Sequence, residues 1–324
     1  MQAPQERPTK HLFILNPIAG AGRRISVGED TIHKTMSAQN EPWEIYQTTA
    51  AKDATRKVKE EAEKGGELRV YACGGDGTLS ECVNGAVGFP NVAVTHFPLG
   101  TGNDFIKTFT TGKEHFFHLP SLINGKEITL DLIRAGNYYG INICSIGIDA
   151  RIAADVHKYS GFPLIKGKRA YFASTTANVI RKIAEEFEVE VNGKTLKQPF
   201  TLICICNGRS YGGAFTPVPD ALPDDGLLDI LLVDKVSRLG VAGLIGKYGA
   251  GRYKEISHII KHVQSTKITV RRKKEFIFNV DGESPKATEI TFEIVPKALR
   301  FIAPQNADFS ANANEQDCKI NDIE

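Results

Sequence analysis

The sequence predicts two domains: an α/β N-terminal domain on a parallel sheet, followed by a β-rich, mostly antiparallel, sandwich-like C-terminal domain. Three observations lead there. The chain has 324 residues, more than one ordinary core organises. Its first third alternates short apolar runs with stretches of helical spacing, the pattern of βαβ units. From about Ile128 the texture changes to strand after strand, separated by turn residues.

In the first domain, expected at 10–125, strands are read at 11–15, 43–47, 68–72 and 92–97, and helices at 31–37, 53–64 and 79–87. The second, expected at 126–297, opens with paired strands at 129–134 and 138–146 across Ala135-Gly136-Asn137. Further strands are read at 186–191, 200–206, 227–233, 267–270, 276–280 and 289–295, with helices at 168–185 and 239–248. Asn192-Gly193 marks a hairpin, since both residues tolerate the positive φ of a tight turn. The apolar run within 298–304 predicts a return to the first domain, and the polar, acidic tail 305–324 predicts disorder.

A composition of 41% hydrophobic and 24% charged residues is ordinary globular usage and excludes a disordered or fibrous chain. The formal net charge of +2 supplies no global field toward nucleic acid, so attraction to an anionic partner requires a local patch. A candidate is the run 247–274, where Lys247, Arg252, Lys254, Lys261, Lys267, Arg271, Arg272, Lys273 and Lys274 face one acid, Glu255. The six cysteines form no C-x-x-C pair and predict reduced thiols in a cytoplasmic protein, with Cys204 and Cys206 sharing one strand face. No stretch reaches the roughly 18 apolar residues of a spanning helix, and the polar N-terminus lacks a signal sequence's apolar region.

The sharpest motif is Gly74-Gly75-Asp76-Gly77-Thr78, placed after a strand and before a helix. Glycine lets backbone approach a ligand closely, and a helix N-terminus offers free N–H groups to phosphate oxygens, so polyphosphate is the predicted guest. Asp76 would repel that anion unless a cation intervenes. Asn16-Pro17-Ile18-Ala19-Gly20-Ala21-Gly22 and Leu99-Gly100-Thr101-Gly102-Asn103-Asp104 follow two further strands and would converge on the same sheet edge. Asp281-Gly282-Glu283 ends an apolar strand, where a glycine between two acids could aim both carboxylates into one space, Glu283 acting as a base. Its bland counterpart is a polar turn closing a hairpin. His115 and His118, flanking Phe116-Phe117, are expected to pack rather than to catalyse.

Together these loops resemble the diacylglycerol kinase catalytic-domain family, which includes bacterial lipid kinases and the sphingosine and ceramide kinases. In the second domain Ser145-Ile146-Gly147-Ile148-Asp149, Asn207-Gly208-Arg209 with Tyr211-Gly212-Gly213, Asp225-Gly226-Leu227-Leu228-Asp229 and Val280-Asp281-Gly282-Glu283 carry the likeness, which spans about 10–303. Ala214 stands where the family often has a third glycine. The resemblance implies a phosphofructokinase- and NAD-kinase-like N-terminal fold, and transfer of the ATP γ-phosphoryl group to a lipid hydroxyl with Mg2+ present. It implies nucleotide contacts at Asn16, Gly20, Thr48, Gly74, Gly75, Asp76, Gly77, Thr78, Thr101, Asn103 and Asp104, and catalysis by Glu283 beside Asp281. It further implies a second-domain Mg2+ on Asp225 with the carbonyls of Leu222 and Leu227. The expected partners are ATP and a lipid at a membrane surface, with peripheral attachment through 162–166, Lys168 and Arg169, and a homodimer as a further expectation. An NAD kinase, which resembles this chain in the Gly-Gly-Asp-Gly loop, and a binding protein without turnover are the competing readings.

Overall fold

The structure is a computed structural model that describes residues 8–21, 23–160 and 183–309. These form two compact units, one of residues 8–132 and 296–309, the other of 133–160 and 183–295. The first contains β1 (Lys10–Leu15), α1 (Arg23–Met36), β2 (Trp43–Gln47), α2 (Asp53–Ala62), β3 (Leu68–Gly74), α3 (Asp76–Ala86), β4 (Val92–Pro98) and the short α4 (Leu119–Ile123). Next come β5 (Lys126–Ala135), β6 (Tyr138–Gly140), β7 (Ile143–Gly147), α5 (Ile148–Ser160), β8 (Glu185–Val191), β9 (Lys194–Cys206) and β10 (Leu228–Asp234). The chain continues with α6 (Arg238–Gly249), β11 (Ile260–Ser265), β12 (Lys267–Val280) and β13 (Lys286–Ala303), whose last residues belong to the first unit.

In the first unit the strand order is β13-β4-β3-β1-β2, and each of these pairings is parallel. The inner strands are unbroken apolar runs because both faces are covered: Leu12–Leu15 and Val70–Cys73 are fully buried. Register places the function. Leu15 pairs with both Gln47 and Cys73, and Gly74 pairs with Pro98, so the four strands end level and their following loops leave from one edge. Phe301 of β13 packs its ring among Phe105, Phe109 and Phe116, and Thr95 Oγ1 donates to the Ile302 carbonyl at 2.7 Å.

The second unit is antiparallel, in the order β11-β10-β9-β7-β12-β13 with β8 against β9 and β12. Its central strands bury both faces. Along β9 and β10, Ile203, Ile205, Ile230 and Leu232 enter one apolar cluster, while Leu202, Cys204, Cys206, Leu231 and Val233 enter a second with Ile148 and Ile152 of α5 and Tyr248 of α6. Cys204 and Cys206 thus share a face, as free thiols 3.5 Å apart.

Several sequence expectations need revision. The strand read at 138–146 breaks between β6 and β7, whereas the runs read at 267–270 and 276–280 are one strand, β12, with a register irregularity between Arg271 and Phe276. Likewise 289–295 and 299–303 are one strand, β13. The sequence pattern does not predict β11, α4 or α5. The helix read at 168–185 lies outside the described residues except at its end, where Glu185 begins β8; the segment 162–169 lies outside them too. The tail begins ordered: Ala307 is buried, Thr110 N–H donates to the Asp308 carbonyl at 2.7 Å, and Phe309 meets Phe109 edge to face. Phe116, not its flanking histidines, does the packing there.

The basic run is mostly neutralised. Lys247 and Arg252 pair with Glu255, Lys254 with Asp220, Arg271 with Glu190 and Glu289, and Arg272 with Glu185. What remains for an anionic surface is a smaller set than the composition promised. Among the described residues no helix is long and apolar enough to cross a membrane.

Candidate functional site

The four loops leaving the sheet edge of the first unit enclose a cleft of about 630 Å³, within the size range of small-molecule sites. Asn16, Gly20, Thr48, Gly75, Asp76, Gly77, Thr78 and Thr101 line it, together with Ile18, Ala50, Ala54 and Glu81. The glycines have separable reasons. A Cβ on Gly100 would stand 2.5 Å from the Gly75 Cα, and one on Gly74 would strike Thr78 Oγ1, so both are demanded by the protein's own packing. A Cβ on Gly77 would meet nothing within 4 Å. Its absence leaves room in the cleft itself. α3 starts here with Gly75 as N-cap and no side chain capping it, so its first N–H groups and dipole face the cleft edge as an anion site.

Asp76 is built into this wall. Its Oδ1 accepts from the Asp104 N–H at 2.5 Å and the Phe105 N–H at 3.3 Å, while a Cβ on Gly102 would come within 2.8 Å of its Oδ2. Burial pushes the Asp76 carboxyl up, and the Asp104 carboxylate adds to that; His96 and the two amides oppose it. Gly74, Asn103 and Asp104 support rather than line the cleft. The Gly74 carbonyl accepts from Leu99 and Gly100, Asn103 sits at φ 49 with its amide on the Gly100 carbonyl, and Asp104 holds Lys107. Glu81, which no sequence motif marks, reaches from α3 to the N–H groups of Lys52 and Ala54 and anchors the start of α2.

The second unit gives the two predicted acids different surroundings. Val280 and Glu283 exchange backbone hydrogen bonds at 2.9 Å around Asp281 (φ 46) and Gly282 (φ 102), a tight hairpin turn. The Asp281 carboxylate turns onto the N–H groups of Ile141 at 2.6 Å, Asn142 at 3.2 Å and Ile143 at 2.9 Å, which is why the chain breaks between β6 and β7. Glu283 is exposed, and its carboxylate has no partner among the described residues. Asp225 is also exposed, with Oδ1 accepting from the Leu227 N–H at 2.9 Å. One carboxylate and main-chain carbonyls are hard oxygen donors suited to Mg2+; among the described residues no group of three His, Cys, Asp or Glu could hold a metal.

The same unit has an apolar pocket lined by Val241, Leu244 and Ile245 of α6 together with Leu202 and Val233. Its polar end is Asp149, whose carboxylate accepts from Ser145 Oγ at 2.8 Å, beside the Tyr211 and Tyr248 hydroxyls, themselves 3.0 Å apart. Burial pushes Asp149 up to about 6, against the hydrogen bonds from Ser145 and Tyr211.

Comparison with known proteins now fits this geometry. Residues 10–135 match the diacylglycerol kinase catalytic domain, and residues 142–303 match the YegS C-terminal NAD kinase beta sandwich-like domain. The chain belongs to the diacylglycerol kinase catalytic-domain family. A relative named "Putative lipid kinase" from Staphylococcus aureus strain JH9 is 27% identical over 234 residues, which are 72% of this chain and 76% of that protein. A solved diacylglycerol kinase from Bacillus anthracis strain Sterne shares the fold at a TM-score of 0.67 and 22% identity, over 93% of this chain and 98% of that one. A second structure from the same organism, described as a "putative diacylglycerol kinase", gives a TM-score of 0.71 at 23% identity with the same coverage. Membership accounts for the mostly-sheet second unit as well as for the glycine loops of the first.

Proposed function

We propose that the protein is an ATP-dependent lipid kinase, transferring the γ-phosphoryl group of ATP to a lipid hydroxyl of the diacylglycerol class. The observation that carries this reading is the cleft of the first unit, where glycine loops from three strands surround an uncapped helix N-terminus and the space beside Gly77 is empty of protein. Phosphoryl transfer asks mainly for positioning and charge stabilisation. Thr48, Gly75, Gly77, Thr78 and Thr101 would bind the phosphates, with Asn16 and Gly20 closing one side and Ile18, 83% exposed, offering an apolar surface to the base. Asp76 would hold Mg2+, which supplies neutralisation of phosphate charge when bound, and Asp225 with Leu222 and Leu227 would hold a second ion in the other unit.

For the acceptor, the apolar pocket beneath α6 supports an aliphatic chain, and Glu283 is the carboxylate left available to take the hydroxyl proton. Asp281 supports it from behind by fixing the turn. Such an enzyme works at the membrane surface from the cytoplasmic side. The test is transfer of labelled phosphate from ATP to a panel of diacylglycerol, monoacylglycerol, phosphatidylglycerol and sphingosine in mixed micelles, with NAD as a separate acceptor. Labelled lipid with Mg2+ present is the expected product; labelled NADP, or no transfer to any lipid, overturns the reading.

A further inference from the structure

The Gly74 carbonyl, at the end of β3, collects three donors. The N–H groups of Leu99 and Gly100 each reach it at 2.9 Å, and His96 Nε2 reaches it at 3.1 Å. A carbonyl can only accept, so Nε2 carries the proton, and Nδ1 is left buried with no partner among the described residues. His96 sits fully buried in β4, a strand whose side chains are otherwise apolar but for Thr95. Packing alone gives no reason for a polar ring with one unsatisfied nitrogen at that position.

We propose that His96 is a positioning residue of the nucleotide cleft, its Nε2–H being the side-chain donor that fixes and polarises the Gly74–Gly75 peptide. Hydrogen bonds strengthen one another along a polarised peptide: charge drawn onto the Gly74 oxygen leaves the N–H of the same peptide a stronger donor. That N–H belongs to Gly75, which lines the cleft and caps α3. The imidazole also ties the end of β3 to β4 immediately before the Gly100 loop, so the two loops that meet at Gly75 and Gly100 are held in one register. The inference rests on reading the cleft as a phosphate site, yet its hydrogen bond can be judged separately.

The experiment compares His96→Leu, which removes the donor, with His96→Gln, whose amide N–H can replace it. Calorimetric titration with ATP and with adenosine is combined with the amide proton shift of Gly75 in the free protein. The expected result for H96L is ATP binding weakened about three- to tenfold, adenosine binding unchanged and the Gly75 proton moved upfield. H96Q should recover both readouts. Equal loss for ATP and adenosine, or no change of ATP affinity and of the Gly75 shift in H96L, would overturn the proposal, as would H96Q behaving like H96L. If H96L does not fold, His96→Met takes its place. Should the unaltered protein bind no ATP, the phosphate-site reading fails, while the Gly75 shift still decides whether His96 polarises the peptide.

Discussion

Gly100 lies so close to Gly75 that a Cβ on the first would stand 2.5 Å from the Cα of the second, whereas the same test at Gly77 meets nothing within 4 Å. Gly100→Ala should therefore cost about 1–3 kcal/mol of stability through overpacking, read by chemical denaturation. Gly77→Ala should fold as well as the parent, since alanine suits a helix, yet bind ATP about 10- to 100-fold more weakly by crowding the phosphate. Equal behaviour of the two variants would contradict the separation of packing glycine from ligand glycine.

The two acids of the Val280–Glu283 turn should separate in the same way. Asp281→Ala leaves the N–H groups of 141–143 without their acceptor and should lose about 2–4 kcal/mol of stability. Glu283→Gln should leave the unfolding midpoint alone and lower kcat about 10²- to 10⁴-fold. A fully active E283Q would remove Glu283 from the chemistry.

Asp149 predicts a pH dependence. Its folded value of about 6 lies above an aspartate's ordinary 3.8, so the native state holds this proton more tightly than the unfolded chain. Stability from this group is complete below pH 4 and falls as pH rises through 6, by on the order of 2–3 kcal/mol. Asp149→Asn should flatten that slope in denaturation curves taken between pH 4 and 7. An unchanged slope would mean that the group titrates normally.

Mg2+ should stabilise the protein against unfolding in the absence of nucleotide if the Asp225 loop binds it, by about 3 kcal/mol at a hundredfold excess over Kd. Asp225→Ala should abolish the increment. An increment that survives in D225A but disappears in Asp76→Asn would move the nucleotide-free metal to the other unit.

How far these features were legible in the sequence depends on the range of the interaction. Gly75, Gly77 and Thr78 could be read because strand, glycines and helix are contiguous, and local backbone chemistry dictates their use. Glu81 and His96 could not: Glu81 acts on amides 27 and 29 residues away, and His96 on a carbonyl 22 away. Asp281 looked like half of a dyad because its neighbour in sequence is an acid, while its partners are about 140 residues distant. β11 escaped notice as an edge strand whose Lys261 and His262 obscure the alternation, and β12 looked like two strands because the charged residues 271–275 interrupt its apolar run.

The strand β13 has a practical consequence for anyone dissecting the molecule. Its last residues complete the sheet of the first unit beside β4, place Phe301 among Phe105, Phe109 and Phe116, and give Thr95 its acceptor. A gene truncated near Leu132 would encode every loop residue of the cleft yet leave a bare sheet edge and a hollowed aromatic cluster. Such a fragment should aggregate, and adding back a peptide covering 296–309 should rescue it.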